Sequence, residues 1–115
     1  MVLPLKKKSP TGVLVVLVTA ANLGEAVKIG KKVVASNLAA CVSIVPGIQS
    51  IYRWKGKVLK EQEVLLIMKS TKPCYRALER TVKAMHIYET PEIIALPIEA
   101  GLGQYLEWVY SETHS

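Results

Sequence analysis

Four nearly continuous apolar runs constrain the fold of this chain more than any other feature. They read VLVVLV from residue 13, CVSIV from 41, VLLIM from 64 and IIALPI from 93. Short runs rich in Val, Ile and Leu are typical of buried β-strands. A strand with one wet face would alternate apolar and polar residues, so these runs predict a sheet whose two faces are both covered.

An amphipathic helix is predicted between the first two runs, over residues 22–37. Asn22 is a candidate N-cap, and Glu25, three residues later, completes a pattern that resembles a capping box. Gly30 weakens this helix slightly, because glycine lowers helix propensity in an interior position. The remaining apolar residues fall on one face, so the helix is expected to pack on the sheet.

The next segment predicts a long β-hairpin. Pro46-Gly47 interrupts its first strand and favours an edge position or a bulge. The sequence WKGK at 54–57 favours a tight turn in which Gly56 adopts a positive φ. From Cys41 to Trp54 the first strand alone spans about 45 Å if fully extended, which exceeds the width expected of so small a domain.

Two further helices and one strand complete the pattern. Ser70 or Thr71 is predicted to cap the second helix, with Pro73 in its first turn, where a missing N–H costs nothing. The last strand is predicted over 92–98, and a terminal helix follows the Gly101–Gly103 turn. The order β-α-β-β-α-β plus a C-terminal helix predicts an α+β, ferredoxin-like fold with an antiparallel sheet.

Composition and charge predict the domain boundaries, the cellular location and the class of partner. We expect residues 1–11 to form a flexible basic N-terminal arm, since Lys6, Lys7 and Lys8 supply half of the net charge of +6, and residues 12–115 to form a single domain. We expect a cytoplasmic protein, since no run has the length of a membrane span and no signal peptide is recognisable. No nucleic-acid partner is expected, because the central strands offer neither aromatic nor basic residues.

The same apolar runs argue against a monomer. Two helices cover only one face of a four-stranded sheet, and a C-terminal helix covers part of the other. The remaining apolar face would be a liability if it were exposed. We therefore expect a homo-oligomer in which sheet faces and long hairpins are shared between subunits.

The candidate metal ligands lie in HIYETPE, residues 86–92. His86 follows the second helix and Glu92 begins the last strand, and an imidazole with a carboxylate could bind copper or zinc. Both residues also fit structural roles. His86 suits the cap of a helix C-terminus, and Glu92 suits an ordinary solvent-exposed carboxylate. A metal site would need a third ligand from elsewhere. No activated nucleophile is recognisable and the chain contains no aspartate, so we do not expect an enzyme.

The chain resembles the CutA-type divalent-cation tolerance family. The resemblance rests on LAACVSIVPGIQSIYRWKGKV, EVLLIMKS, HIYETPEIIALPI and YLEW, in family order and spacing, and spans about Val13 to Trp108. It implies a ferredoxin-like subunit in a PII-like homotrimer, linked to tolerance of copper and other divalent cations, with no established catalysis. It also implies a cleft between subunits, lined by the following residues: Tyr52, Trp54, Lys69, Tyr88 and Glu92.

The sequence departs from the family pattern at a position that matters for metals. Some bacterial members have a first-strand cysteine that is proposed to bind copper together with the histidine and the glutamate. Val18 stands at that position here, while His86 and Glu92 match the other two. Without the soft thiolate, tight Cu(I) binding is not expected. No cofactor is firmly implied, and copper or another divalent cation is the candidate.

Two functions follow from these observations. The leading hypothesis is a trimeric, non-catalytic divalent-cation tolerance protein that binds metal ions weakly. The alternative is a PII-like signalling or scaffold module that binds a small anionic ligand or a protein partner in the cleft between subunits, with Lys69 facing the ligand.

Overall fold

A computed structural model describes residues 11–113 and contains four strands and three helices. In chain order the elements are β1 (Val13–Ala20), α1 (Leu23–Ala35), β2 (Cys41–Trp54), β3 (Lys57–Thr71), α2 (Lys72–Met85), β4 (Ile93–Pro97) and α3 (Gly103–Glu112). The predicted basic arm, residues 1–11, lies outside the described residues apart from Thr11. No helix in the described part of the chain is long and apolar enough to cross a membrane.

The strands form one antiparallel sheet in the order β2-β3-β1-β4. β1 and β3 are central, and β2 and β4 are the two edges. This order, with a helix after β1 and another after β3, is the ferredoxin-like arrangement that the element pattern predicted. The α+β prediction is therefore confirmed.

α1 is shorter than predicted. The structure places it at Leu23–Ala35 rather than 22–37, with Asn22 and Ser36 as its caps. The Asn22 side chain accepts a hydrogen bond from the Glu25 backbone N–H at 2.8 Å, as the capping pattern predicted. The helix ends early because Asn37 has a φ of 58°, in the left-handed region that a right-handed helix cannot include.

The boundaries of the later elements also differ slightly from the predictions. Thr71 occupies the N-cap position of α2, but its side chain makes no capping hydrogen bond. Pro73 lies in the first turn of that helix, as predicted. β4 covers Ile93–Pro97 rather than 92–98, because Ile93 is the first residue to pair with β1 and Pro97 is the last.

Alternate residues of β1 belong to two different apolar clusters. Leu14, Val16 and Val18 are buried in the main core, together with residues of α1 and α2. Val13 belongs to a smaller cluster with Leu106 and Val109 of α3. Since successive side chains of a strand point to opposite faces, α1 and α2 cover one face of the sheet and α3 covers one end of the other.

The remainder of that second face is largely apolar, apart from Lys69 opposite Val15, and the described residues of a single chain leave it open. We call it the outer sheet face, and it consists of Val15, Leu17, Leu65, Ile67, Ile94 and Leu96, which are cross-strand neighbours or share one strand face. Ile94 and Leu96 are 49% and 51% exposed. The apolar runs predicted that both faces of the sheet are buried. The described residues of one chain bury one face, and the other face only at one end.

The β2-β3 hairpin extends well beyond the rest of the sheet. β1 pairs with β3 from Val64 to Thr71, so, among the described residues, segments 48–54 and 57–63 pair only with each other. We call these two segments the distal hairpin. A register shift between Val45 and Ile48 marks the bulge predicted at Pro46-Gly47, and Gly56 adopts the predicted positive φ, 79°, in the turn. A free two-stranded hairpin is only marginally stable in water, so this segment needs further contacts.

Candidate functional site

A cleft of about 750 Å³ lies between the distal hairpin and the turn that follows α2. Its polar and aromatic lining combines four carboxylates with three large rings: Glu61, Glu63, Glu89, Glu92, Tyr52, Trp54 and Tyr88. Neither lysine nor arginine is among its lining residues in the described part of the chain. Its charged lining residues are therefore all acidic, which favours cations over anions.

Strand register brings the hairpin residues to one wall of the cleft. Tyr52 is opposite Leu59, and Trp54 is opposite Lys57. Residues opposite each other in an antiparallel pair share a face, and so do residues two apart on one strand. Tyr52 and Trp54 therefore lie on the same face as Glu61 and Glu63.

The opposite wall comes from the turn after α2, and one hydrogen bond joins the two walls. The Tyr88 hydroxyl donates to Oε2 of Glu63 at 2.8 Å. Glu63 is only 7% exposed, so its carboxylate depends on this donor more than a solvated carboxylate would. Burial of the phenol, the hydrogen bond to Glu63 and the negative charge nearby raise the pKa of Tyr88.

A second tyrosine–glutamate pair lies on the hairpin wall. Partial desolvation, a side-chain hydrogen bond to Glu61 and the charges of Glu61 and Glu63 raise the pKa of Tyr52. The Tyr88 phenol faces its carboxylate as a hydrogen-bond donor.

His86 lies beside the cleft but does not line it. Its side chain is fully buried. Nε2 lies 2.7 Å from the backbone oxygen of Thr19, and Nδ1 lies 3.1 Å from the backbone nitrogen of Tyr88. Glu25 Oε2 lies 3.8 Å from Nδ1. Both ring nitrogens of His86 therefore already have hydrogen-bonding partners within the chain.

The two predicted metal ligands occupy different environments. Glu92 is exposed and lines the cleft, whereas the imidazole of His86 is buried behind it. Val18, at the position of the family cysteine, is fully buried in the main core. Within residues 11–113 no group of three or more His, Cys, Asp or Glu side chains is placed to hold a metal ion. The described residues of one chain therefore do not form a complete metal site.

Lys69 is separated from the other predicted cleft residues. Its Nζ donates to Ser43 Oγ at 3.3 Å, and the residue is opposite Val15 and Cys41 in the sheet. Lys69 lies six positions after Glu63 on β3, which corresponds to a distance of about 20 Å. A single chain therefore brings together Tyr52, Trp54, Tyr88 and Glu92 of the predicted set, but not Lys69.

Two cleft residues, Glu61 and Glu63, were not predicted from the sequence. Their signal was present in the strand pattern, because two carboxylates at positions i and i+2 of a strand share one face. They fall in KEQEV, where the apolar run of β3 begins, and were not distinguished from ordinary solvated residues.

Comparison with known protein families gives one match over nearly the whole domain. Residues 14–112 match the family described as CutA1 divalent ion tolerance protein. Among curated relatives, the divalent-cation tolerance protein CutA of Thermus thermophilus is 48% identical over 99 residues, which is 86% of this chain and 96% of the relative. The chloroplastic CutA protein of Arabidopsis thaliana is 45% identical, with 89% of this chain and 56% of the relative aligned.

Solved structures of similar proteins have the same fold. The divalent cation tolerance protein of Thermus thermophilus superposes with a TM-score of 0.86 at 48% identity, covering 88% of this chain and 98% of that one. CutA1 of Oryza sativa gives a TM-score of 0.88 at 43% identity, covering 93% and 98%. A structure described as the periplasmic CutA of Archaeoglobus fulgidus gives 0.86 at 38% identity, covering 89% and 99%.

Proposed function

This chain belongs to the CutA1 divalent ion tolerance family, and we propose from that membership that it contributes to tolerance of divalent cations by binding them weakly, without catalysing a reaction. The observation that supports this best is the cleft lined by Glu61, Glu63, Glu89 and Glu92. Carboxylate oxygens are general ligands for divalent cations, and a site without thiolate or free imidazole binds copper and zinc only weakly.

We propose that the working form is a homotrimer, as the family resemblance implied. Two features of the single chain support an assembly. Within residues 11–113 the outer sheet face is largely apolar and open, and no third strand pairs with the distal hairpin. Burying both against neighbouring subunits would remove apolar surface from water at a gain of roughly 25 cal/mol per Å².

We propose further that the cleft lies between subunits. Within one chain Lys69 is about 20 Å away along β3, so a neighbouring subunit would have to supply this residue. The distal hairpin, which forms one wall of the cleft, is also the segment that needs further packing contacts, and a neighbour would supply them. In such an assembly the carboxylates of one subunit would face the Lys69 side chain of another.

The alternative of a small anionic ligand receives no support from the cleft of the described chain. Its charged lining is entirely carboxylate, which repels anions. Lys69, the residue predicted to face such a ligand, forms a hydrogen bond with Ser43 instead. A cytoplasmic location also stays a proposal, since relatives are described as chloroplastic and as periplasmic.

Calorimetric titration with Mn²⁺, Zn²⁺ and Cu²⁺ tests metal binding in the cleft. We expect dissociation constants on the order of 10⁻⁴ M for the parent protein, in the range of weak oxygen-ligand sites. Glu92→Ala and Glu61→Gln should each weaken binding several-fold, since each removes one carboxylate from the lining.

Glu99→Ala is the matched control. Glu99 is exposed and is not a lining residue of the cleft, so this variant should bind like the parent protein. Equal affinities for the parent, Glu92→Ala and Glu61→Gln would remove the metal-binding role from this cleft.

A further inference from the structure

The hydrogen bonds of His86 determine which tautomer it adopts. The backbone oxygen of Thr19 can only accept, so the Nε2 atom 2.7 Å away must bear the proton. The backbone N–H of Tyr88 can only donate, so Nδ1 must accept from it at 3.1 Å. The ring is therefore the neutral Nε2–H tautomer, and its one lone pair is directed at Tyr88.

Three consecutive backbone N–H groups after α2 are fixed by these contacts. The His86 N–H donates to the oxygen of Val82 at 3.0 Å, and the Ile87 N–H donates to Glu25 Oε2 at 2.9 Å. The Tyr88 N–H donates to the His86 ring. The segment is thus anchored to the helix before it, to α1 and to its own histidine.

The same histidine also contacts the ring of Tyr88. The two ring centroids lie 4.7 Å apart at an interplanar angle of 43°. At the far end of that phenol, the hydroxyl donates to Glu63 across the cleft. Tyr88 is therefore held at three points, and His86 supplies two of them, the backbone acceptor and the ring contact.

We propose that His86 is a positioning residue for Tyr88 in the cleft, and not a metal ligand. It acts through its Nδ1 lone pair, which fixes the backbone of Tyr88 and so directs the phenol to Glu63. This inference differs from the family-based prediction for His86. It concerns the cleft of the proposed function, but its principal test requires no ligand.

Two substitutions distinguish the roles of the two ring nitrogens. In His86→Asn the amide oxygen lies near the position of Nδ1 and can accept from the Tyr88 N–H. In His86→Gln the amide nitrogen lies near the position of Nε2 and can donate to Thr19, but the Tyr88 N–H is left without its acceptor. Each variant therefore keeps one of the two hydrogen bonds, and only the asparagine keeps the one that positions Tyr88.

Amide hydrogen exchange measures directly whether the Tyr88 N–H keeps its hydrogen-bond acceptor. The Tyr88 amide should exchange about tenfold faster in His86→Gln than in the parent protein, and at nearly the parent rate in His86→Asn. The Ile87 amide is an internal control, because Glu25 holds it and its rate should be the same in both variants. Equal Tyr88 rates in the two variants would show that His86 does not position Tyr88 through Nδ1.

A measurement on the folded parent protein decides the question even if both variants unfold. Side-chain ¹⁵N NMR should show His86 as the neutral Nε2–H tautomer, and the His114→Ala variant leaves it as the sole histidine signal. Addition of Zn²⁺ should leave both ring nitrogen signals unchanged. A Zn²⁺-dependent change of either nitrogen to the chemical shift of a metal-bound imidazole nitrogen would establish His86 as a ligand and overturn the proposal. If Zn²⁺ shows no calorimetric binding at all, the proposed function fails while the exchange result still stands.

Discussion

The hydroxyl of Tyr88 donates a 2.8 Å hydrogen bond to Oε2 of Glu63, and this bond joins the turn after α2 to the start of the distal hairpin. The two residues are 25 positions apart in sequence and come from opposite walls of one cleft. Because Glu63 is almost completely buried, the pair connects the stability of the fold to the shape of the candidate site.

Removing this hydroxyl should destabilise the protein. Tyr88→Phe leaves a buried carboxylate without its donor, which costs about 1–3 kcal/mol in the free energy of unfolding. Denaturant unfolding at pH 7 and fixed protein concentration measures the loss. Tyr75→Phe is the matched control, since its carboxylate partner Glu79 is exposed and its second acceptor, the Ile93 backbone oxygen, lies at 3.3 Å, and it should cost about 1 kcal/mol or less. Equal losses for the two variants would show that burial of Glu63 does not make its hydrogen bond more important for stability.

The raised tyrosine pKa values predict a loss of stability at alkaline pH. Burial and the hydrogen bond to Glu63 raise the pKa of Tyr88, and burial and the contact with Cys41 raise the pKa of Tyr105 to about 12. Above pH 10 the unfolded chain loses its phenolic protons first, so unfolding releases protons and stability falls as pH rises. Below pH 10 these phenols are protonated in both the folded and the unfolded chain, so they do not make the free energy of unfolding depend on pH.

The comparison of unfolding free energies at pH 9 and pH 11 tests this expectation. The decrease should be smaller in Tyr88→Phe and in Tyr105→Phe than in the parent protein, because each variant removes one of the linked groups. A decrease of the same size in all three proteins would assign the alkaline sensitivity to other residues.

A charge on the outer sheet face should disrupt the proposed trimer. Leu96 is 51% exposed in a single chain and lies on that face, so Leu96→Glu would bury a carboxylate in the subunit interface. Multi-angle light scattering should give three times the 12.6 kDa chain mass for the parent protein and a lower mass for the variant.

Leu23→Glu provides a control of nearly equal exposure. Leu23 is 52% exposed, but it lies at the start of α1 and not on the outer sheet face. This variant should keep the parent mass. A parent mass near 12.6 kDa would refute the trimer, and an unchanged mass for Leu96→Glu would place the interface elsewhere.

Glu25 should contribute to stability through two backbone contacts. Oε1 accepts from the Ala21 N–H and Oε2 accepts from the Ile87 N–H, each at 2.9 Å. Glu25→Gln leaves one oxygen in place of two and removes a negative charge at the start of α1, so we expect a loss of about 1–2 kcal/mol. Thermal or denaturant unfolding measures it. The exposed Glu99→Gln should change stability by less than about 0.5 kcal/mol, and a comparable loss there would contradict the role given to Glu25.

The fold was largely predictable because its determinants are local. The four apolar runs, the Asn22 cap and Pro73 each report on backbone geometry within a few residues. The bulge at Pro46-Gly47 and the positive φ of Gly56 follow from the same short-range constraints. Errors were confined to element ends, as at Asn37, where one left-handed residue closes α1 before the apolar periodicity ends.

The candidate site was predictable only in part. Tyr52, Trp54, Tyr88 and Glu92 were named from the family resemblance, and the structure brings them to one cleft. Glu61 and Glu63 were not predicted, because the sequence does not distinguish a glutamate that lines a cleft from one that is exposed to solvent. The distinction requires knowledge of the opposite wall.

The sequence by itself determined the order of the elements, the caps, the apolar faces and the family, since periodicity and short motifs report local geometry and composition. Only the tertiary structure decided that Tyr88 reaches Glu63, that both ring nitrogens of His86 are occupied, and that Lys69 is remote from the cleft of its own chain. These relationships depend on strand register and on the path of a turn. They join residues far apart in sequence, and no pattern within a short window contains that information.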